Sequence, residues 1–400
     1  MDRHSIPKKG YNTNGKMTQK NILAGIDIGT SKISVLICSV RSENDIQMLG
    51  MGTSILKGVQ NGMIVDVSLF KNALQNAIKR AQANSDQVIE RVLVNIPTGN
   101  SRYMVQTGIT QVSNRQFNRK KDCELAMQKA VDCIDKKDQS VMHMFPIQQW
   151  VDQEGQSPYT NIQVDAGIIL GDTQHLNIVF STIKKMNLKI GGVIHDYLAL
   201  TSFSRVNEDE GQLMIDFGAQ VTSFCIVKKG QLQHAKTISI GSEQITKDIS
   251  ACLKCTISEA ERLKVLYGSL DKDNPVQQTE ITIQSHQGPR NIKQSILTGI
   301  IESRMSQLFQ LIGKYLINMS SFSKVYLLGS GSNLSGMDEW VGTKFQRPVH
   351  SHRQMKANDM SVNSNYLIAM GQIIYGYRIG LMKSQSSGII RKISKKIFKN

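Results

Sequence analysis

One pattern constrains this chain more than any other, because it occurs twice. An apolar strand runs into Asp-x-Gly, then a hydroxyl-bearing residue, then a second apolar strand. It is found at 22–38 and again at 212–227. In the first copy Ile22–Ile26 leads into Asp27-Ile28-Gly29-Thr30-Ser31-Lys32 before Ile33 to Val40 resumes. In the second, Gln212–Ile215 leads into Asp216-Phe217-Gly218-Ala219-Gln220-Val221-Thr222 before Phe224–Val227. A tight glycine turn lets backbone N–H groups approach phosphate oxygens, and a Thr or Ser hydroxyl adds a donor. An acidic residue at the strand end can hold Mg²⁺ through its water shell, because Mg²⁺ retains several waters and binds few carboxylates. One hairpin of this kind is commonplace. Two of them, with a third glycine-rich strand end at Gly329-Ser330-Gly331, describe a clamp for a triphosphate.

Around these hairpins the pattern is α/β. Val67, Phe70, Leu74, Ala77, Ile78 and Ala81 give 66–83 helical spacing, and 88–96 reads as a strand closed by Pro97-Thr98-Gly99. Between 99 and 170 the rhythm changes to short strands (103–109, 141–147, 166–170) flanking a helix at 121–135, which is the pattern of a small inserted α+β unit. Further expectations are a strand at 175–180, a helical 181–186, a strand from 192, long helical stretches at 243–267 and 296–318 around a strand-rich 278–293, a strand at 325–328 and a helix at 362–377.

Composition narrows the classes. The chain has 400 residues, a formal net charge of +16 and 40% hydrophobic residues, with 7 Pro and 31 Gly. That excludes disordered and collagenous chains and allows two or three domains. A basic balance points to an anionic partner or to drift in a Lys-rich proteome. Basic segments such as 115–121 lack the interleaved aromatics of a nucleic-acid module, so no nucleic-acid partner is expected. Six cysteines do not make a disulfide scaffold. Cys252 and Cys255 form a lone CxxC without further ligands, so no zinc site is expected. His143, His195 and His234 stand isolated and read as structural. No apolar run reaches the roughly 20 residues of a membrane-spanning helix, and 1–20 reads as a polar leader.

The tail carries a second signal. On a helical wheel Ile389, Ile390, Ile393 and Ile397 share one face, Arg391, Lys392, Lys395, Lys396 and Lys399 lie opposite, and Phe398 sits at the boundary. Such a helix suits an anionic membrane interface, and the linker 384–388 would let it lie down. A solvated basic end, or a helix docked on the protein, is the alternative.

These features together resemble the actin, hexokinase and heat-shock chaperone superfamily, and within it the bacterial cell-division family FtsA. The matching stretches are Gly25–Lys32, Gly241–Ile249, Glu259–Lys264 with Tyr267-Gly268, and Ile301–Arg304. The resemblance implies an actin-like (ribonuclease H-like) two-lobed α/β fold. Its first lobe would be 21–98 with 171–190, its inserted subdomain 99–170, its second lobe 191–244 with 313–383, its helical subdomain 245–312, its linker 384–388 and its amphipathic helix 389–400. It implies ATP and Mg²⁺ held by Gly25, Asp27, Gly29, Thr30, Ser31, Lys32, Asp216, Gly218, Thr222, Gly241, Glu261, Lys264, Gly329, Ser330 and Gly331, with Asp27 and Asp216 on the metal's waters. Asp196 either orients an attacking water or is a helix-cap residue. The implied role is a tether of FtsZ filaments to the cytoplasmic face of the inner membrane at the division site. FtsZ's C-terminal tail would sit on 245–312, where Arg304 is either a contact or one half of an ion pair. Self-association into filaments and recruitment of later division proteins follow from the same resemblance. The family's second phosphate motif usually reads Asp-Ile-Gly-Gly-Gly-Thr-x-Asp. Here Ala219, Gln220 and Ser223 depart from it, and the expectation is slow or negligible hydrolysis. A small-molecule kinase of the same superfamily remains the alternative, and a charge-driven nucleic-acid binder a third class.

Overall fold

The computed structural model describes residues 22–381, apart from 86, 114–117, 153–157, 205–208, 272–278, 318, 320, 352–355, 358–359 and 362. The leader 1–20, the linker 384–388 and the tail 389–400 lie outside the described residues.

The chain opens with three antiparallel strands, β1 (Ile22–Ile28), β2 (Lys32–Ser42) and β3 (Asp45–Ile55). A small hairpin of β4 (Val59–Gln60) and β5 (Met63–Ile64) precedes helix α1 (Val67–Ala83) and strand β6 (Arg91–Val94). Strand β7 (Arg102–Ser113), helix α2 (Arg119–Asp132) and strands β8 (Gln139–Asp152) and β9 (Tyr159–Asp172) form a separate layer. Helix α3 (Thr173–Lys185) and β10 (Lys189–Val193) return to the first sheet, and α4 (Asp196–Thr201) leads out of it. The second lobe holds β11 (Gly211–Phe217), β12 (Thr222–Lys228), β13 (Gln231–Ile238), α5 (Ser242–Leu253) and α6 (Ile257–Tyr267). It continues through β14 (Glu280–Ser285), β15 (Gly288–Lys293), α7 (Gln294–Leu316), β16 (Phe322–Leu328), α8 (Met337–Phe345) and β17 (Val349–Ser351). Helix α9 (Leu367–Arg378) closes the described chain.

The two large sheets share one plan. Their strand orders are β10-β6-β1-β2-β3 and β13-β12-β11-β16-β17. In each, three consecutive strands pair antiparallel, a later strand adds parallel to the first of them, and a further one adds parallel to that. The parallel additions need crossovers, and the helices supply them. Because helices cover the sheet faces, β2 is buried continuously from Ile33 to Val40 instead of alternating. Helix α1 presents Phe70, Ala73, Leu74, Ala77, Ile78 and Ala81 to the sheet, and Asp66 caps it by accepting from Leu69 N at 2.9 Å. The third sheet, β7-β9-β8, packs Ile162, Val164, Ala166 and Ile168 against Cys123, Ala126, Met127 and Ala130 of α2. It leans on the second lobe through Tyr103, whose hydroxyl donates to Gln233 O at 2.7 Å.

Several expected elements differ. Residues 175–180, expected as a strand, belong to α3: Asp172 accepts from His175 N at 2.9 Å, and Leu176, Val179 and Ile183 recur with helical spacing on the buried face. The stretch 243–267 is two helices, broken where Lys254 turns left-handed (φ 50°) and Thr256 caps the second by accepting from Glu259 N at 3.2 Å. The inserted strands are long, 12 to 14 residues, with β8 bent by register shifts at Val141/His143 and Pro146/Gln148. The strand expected at 88–96 is confined to β6, and the helix expected from 362 begins at Leu367.

Helices α4 and α9 cross where the lobes meet. A Cβ on Gly371 would stand 2.4 Å from Ala199 O, and one on Gly25 would stand 2.4 Å from Ala369 O. Both contacts are backbone against backbone and cannot yield locally. Gly25→Ala is therefore expected to lower the unfolding free energy by about 2–3 kcal/mol. On α7, where a Cβ on Gly299 or Gly313 meets nothing within 4 Å, Gly→Ala should raise it by about 0.5–1 kcal/mol. Urea unfolding of the three variants measures both signs.

Candidate functional site

The two Asp-x-Gly hairpins close in the same way. Gly29 N donates to Lys32 O at 3.0 Å, and Gly218 N donates to Val221 O at 3.1 Å. The flanking pairs Ile28–Ile33 and Phe217–Thr222 leave a four-residue turn in each. A Cβ on Gly29 would lie 3.0 Å from Lys32 O and one on Gly218 2.9 Å from Val221 O, so each turn is as tight as glycine allows. Ala219 and Gln220, which stand where glycine was expected, are not among the residues with positive φ. Their side chains therefore add no backbone strain, and the loss of glycine does not by itself distort the turn.

A cleft between the lobes is lined by Asp27, Gly29, Thr30, Ser31, Lys32, Thr98, Asp196, Asp216, Gly218, Ser223, Gly329 and Ser330, among others. Ten residues expected at the site thus meet there: Asp27, Gly29, Thr30, Ser31, Lys32, Asp196, Asp216, Gly218, Gly329 and Ser330. Gly329 has φ +80°, and a Cβ on it would stand 2.4 Å from Asp216 Oδ1, so only glycine fits on both counts. The other expected residues sit behind or beside the lining. Gly25 packs against α9. Thr222 donates to Ile240 O at 2.6 Å. Gly241 begins α5 against the backbone of Ala219. Gly331 lies under Phe217. Glu261 accepts from Thr246 Oγ1 at 2.6 Å and pairs with buried Lys264 Nζ at 2.7 Å. Arg304 forms a two-pronged ion pair with Asp248 at 2.6 and 2.8 Å, joining α7 to α5.

The electrostatics of the cleft are dominated by burial of like charge. Asp27 is pushed up to about 6 by burial, against the pull of Lys32 and of Asn95. Asp216 is pushed up to about 7 by burial and by Asp27, against Lys32. Asp196 is raised well above the carboxylate range by burial and by Asp27. Burial lowers Lys32, while Asp27 and Asp216 hold it up. Lys32 also donates to Asn365 Oδ1, in the short turn just before α9.

Sequence reasoning missed the residue that organises these acids. Asn95 is wholly buried at the end of β6. Its side-chain amide donates to Asp27 Oδ1 at 3.1 Å and to Asp196 Oδ1 at 2.6 Å, and its carbonyl accepts from Ile28 N at 2.6 Å. The one available signal was a polar residue directly after the apolar run Val92-Leu93-Val94. Asn365 and Thr98 were missed because their loops carry no motif. Asp196 lines the cleft from the first turn of α4, and the helix-cap alternative fails because His195 holds the cap position. His195 caps that helix, its Nδ1 accepting from Tyr197 N at 3.2 Å, while its own backbone N–H donates to His143 Nε2 at 3.2 Å. Burial holds these imidazoles down at about 3 and about 4, so both are neutral and structural. Among the described residues no group of three or more His, Cys, Asp or Glu is gathered closely enough to hold a metal directly. Cys252 and Cys255 are free thiols. No described helix is long and apolar enough to cross a membrane.

A carboxyl raised in the folded state binds a proton that the unfolded chain releases. Its contribution to stability is full below about pH 4 and is lost as pH rises through its folded value, about 7 for Asp216. The ligand-free chain should lose stability across this window. Asp216→Asn should flatten the fall and raise the unfolding free energy above pH 7 by about 2–4 kcal/mol. Urea unfolding at pH 5 and pH 8 measures this, and parallel pH profiles for the two proteins would contradict it.

Comparison with known proteins agrees with this fold. The model of the family "Cell division protein FtsA" matches residues 213–371. The cell-division protein FtsA of Pseudomonas aeruginosa is 25% identical over 392 residues, spanning 93% of this chain and 92% of the relative. That of Escherichia coli K12 is 23% identical over 389 residues, spanning 90% and 91%. Among solved structures, the PilM–PilN type IV pilus biogenesis complex superposes with a TM-score of 0.62 at 16% identity, over 88% of this chain and 98% of the other. MreB 5 of Spiroplasma citri bound to AMPPNP superposes at 0.57 and 14%, over 91% and 98%. Likeness at that identity speaks for the fold, which is actin-like. The family match over 213–371 and the relatives that span nearly all of both chains point the same way: the chain is similar to the FtsA family of cell-division proteins.

Proposed function

We propose that this chain binds ATP with Mg²⁺ in the interlobe cleft, hydrolyses it slowly or not at all, and tethers FtsZ filaments to the cytoplasmic face of the inner membrane at the division site. The observation that supports nucleotide binding best is the meeting of two equivalent glycine turns, one from each lobe, with Lys32 between Asp27 and Asp216. The turns offer backbone N–H groups and the Thr30 and Ser31 hydroxyls to phosphate oxygens, and Lys32 offers a positive charge. The residues fit a magnesium-nucleotide on the chemistry of this donor set. Asp27 and Asp216 are carboxylates whose burial leaves them short of positive charge, and they suit a cation reached through its waters. Bound there, Mg²⁺ would neutralise phosphate charge.

Slow hydrolysis is supported by the state of Asp196. A general base must be ionised at working pH. Burial and Asp27 disfavour the ionised form of Asp196, against the opposite pull of the hydrogen bond from Asn95 to its Oδ1. Arg304 is engaged with Asp248 on the helical part of the second lobe, where the FtsZ tail is proposed to sit; we assign it to that ion pair. The membrane contact rests on the sequence of 389–400, with four isoleucines on one face and basic residues opposite. A short helix of this kind binds reversibly, and self-association into filaments would add avidity. Recruitment of later division proteins completes the proposed role.

Lys32→Ala should weaken binding of Mg²⁺–ATP by roughly ten- to a hundredfold while leaving the circular dichroism spectrum unchanged. Equal affinity in calorimetry would remove the support for this site. The full chain should co-sediment with vesicles containing anionic lipid, and a chain ending at Ser384 should stay in the supernatant. Equal behaviour of the two would refute the tail as anchor.

A further inference from the structure

The second turn does more than face the first. Gln220 N donates to Thr30 Oγ1 at 3.2 Å, a direct bond from one lobe's turn to the other's. The Gln220 side chain continues across the gap. Its Oε1 accepts from Asn61 N at 2.8 Å, on the turn between β4 and β5 of the first lobe. Its Nε2 lies 3.5 Å from both Val59 O and Glu243 Oε1, at the limit of hydrogen bonding. Both ends of this bridge are anchored. On the second lobe, Ser242 N and Glu243 N donate to Gly218 O and Ala219 O at 3.0 and 2.8 Å, so the start of α5 holds the turn. On the first lobe, Leu56 N donates to Ser31 O at 2.8 Å, and a Cβ on Gly99 would stand 1.9 Å from Asn61 O, so the β4–β5 turn is wedged against the Thr98–Gly99 turn. The corresponding position of the first turn is Ser31, whose side chain is too short to make such a span.

We infer that Gln220 is a clasp that holds the two lobes shut over the phosphate end of the cleft, and so a positioning residue that governs how slowly the bound nucleotide leaves. Thr30 lines the cleft, and Ala219 and Val221 on either side of Gln220 line it too. Phosphates held between the turns cannot pass them while the Gln220 side chain, bonded to Asn61, keeps Gln220 N against Thr30. Release therefore requires the Gln220 bonds to break. The clasp also opposes a force the cleft itself creates, since Asp27 and Asp216 bring like charge toward each other from opposite lobes. This deepens the nucleotide reading above and rests on it only for the release step.

The test uses the full chain and Gln220→Met, which keeps length and the backbone N–H and removes both polar atoms of the side chain. Gln220→Ala is the second variant, should the methionine pack poorly. Two quantities are read: hydrogen exchange at the Asn61 amide in the ligand-free protein, and dissociation of a fluorescent ATP analogue chased with excess ATP and Mg²⁺. Exchange at Asn61 and analogue dissociation should both speed up, the latter by about five- to twentyfold, with association and thermal midpoint nearly unchanged. If both rates match the parent, the clasp is refuted. If the parent binds no analogue, the nucleotide reading falls by itself, and the Asn61 exchange alone decides whether Gln220 holds the lobes together.

Discussion

Three carboxylates and one lysine, buried together between two sheets, set the terms for the rest of this structure. Asp27, Asp196 and Asp216 share a cleft with Lys32, and one ammonium cannot balance three carboxylates. Burying charge without a partner costs more than most tertiary contacts return. The fold meets that cost in two ways visible in the geometry. Burial shifts the acids toward their protonated forms, which the raised values of Asp27, Asp196 and Asp216 express. Asn95 then uses one amide to satisfy oxygens on two of them. A site built at such cost is short of positive charge, and that shortage is what the proposed magnesium-nucleotide would relieve.

The doubled architecture explains how the acids come to face each other. Each lobe places an antiparallel hairpin at the centre of its sheet and adds parallel strands beside it. The tight turn of each hairpin projects from the same end of the sheet, so bringing two such lobes together sets turn against turn. Crossing of α4 and α9 holds the lobes at that distance. It depends on close backbone contact at Gly371 and Gly25, and on Gln372 donating to Ile26 O at 3.0 Å in the strand that carries Asp27. The interior that packs the lobes is thus continuous with the strand that delivers the acid.

Equivalence of the two hairpins stops at their side chains. The first turn supplies hydroxyls and a lysine. The second supplies Ala219, Gln220 and Val221, of which Gln220 reaches back to the first lobe. On the proposed reading this is a division of labour, in which one turn carries ligand chemistry and the other closure. Neither Ala219 nor Gln220 strains its backbone, so the departures from glycine do not damage the turn. Their effect lies in what the side chains reach.

Local chemistry made much of this legible in the residue order. Asp-x-Gly between apolar strands dictates a turn wherever it occurs, because glycine alone tolerates a carbonyl about 3 Å from where Cβ would be. The helical spacing of α1, the inserted α+β layer and the family resemblance also follow from patterns within short windows. Residues 175–180 show the limit: a short apolar run suits strand or helix, and the cap at Asp172, which settles it, is a geometric fact. The roles of Asn95, Asn365 and Gln220 were beyond any window. Asn95 and Asn365 are polar residues in an unremarkable strand end and loop, and Gln220 is only a departure within a turn motif, until the fold sets them beside a carboxylate, an ammonium or the other lobe. The sequence by itself determined that two phosphate-type turns exist. Only the tertiary structure decided what stands between them, because burial and proximity, which raise the acids and join Gln220 to Asn61, arise when distant segments exclude water together.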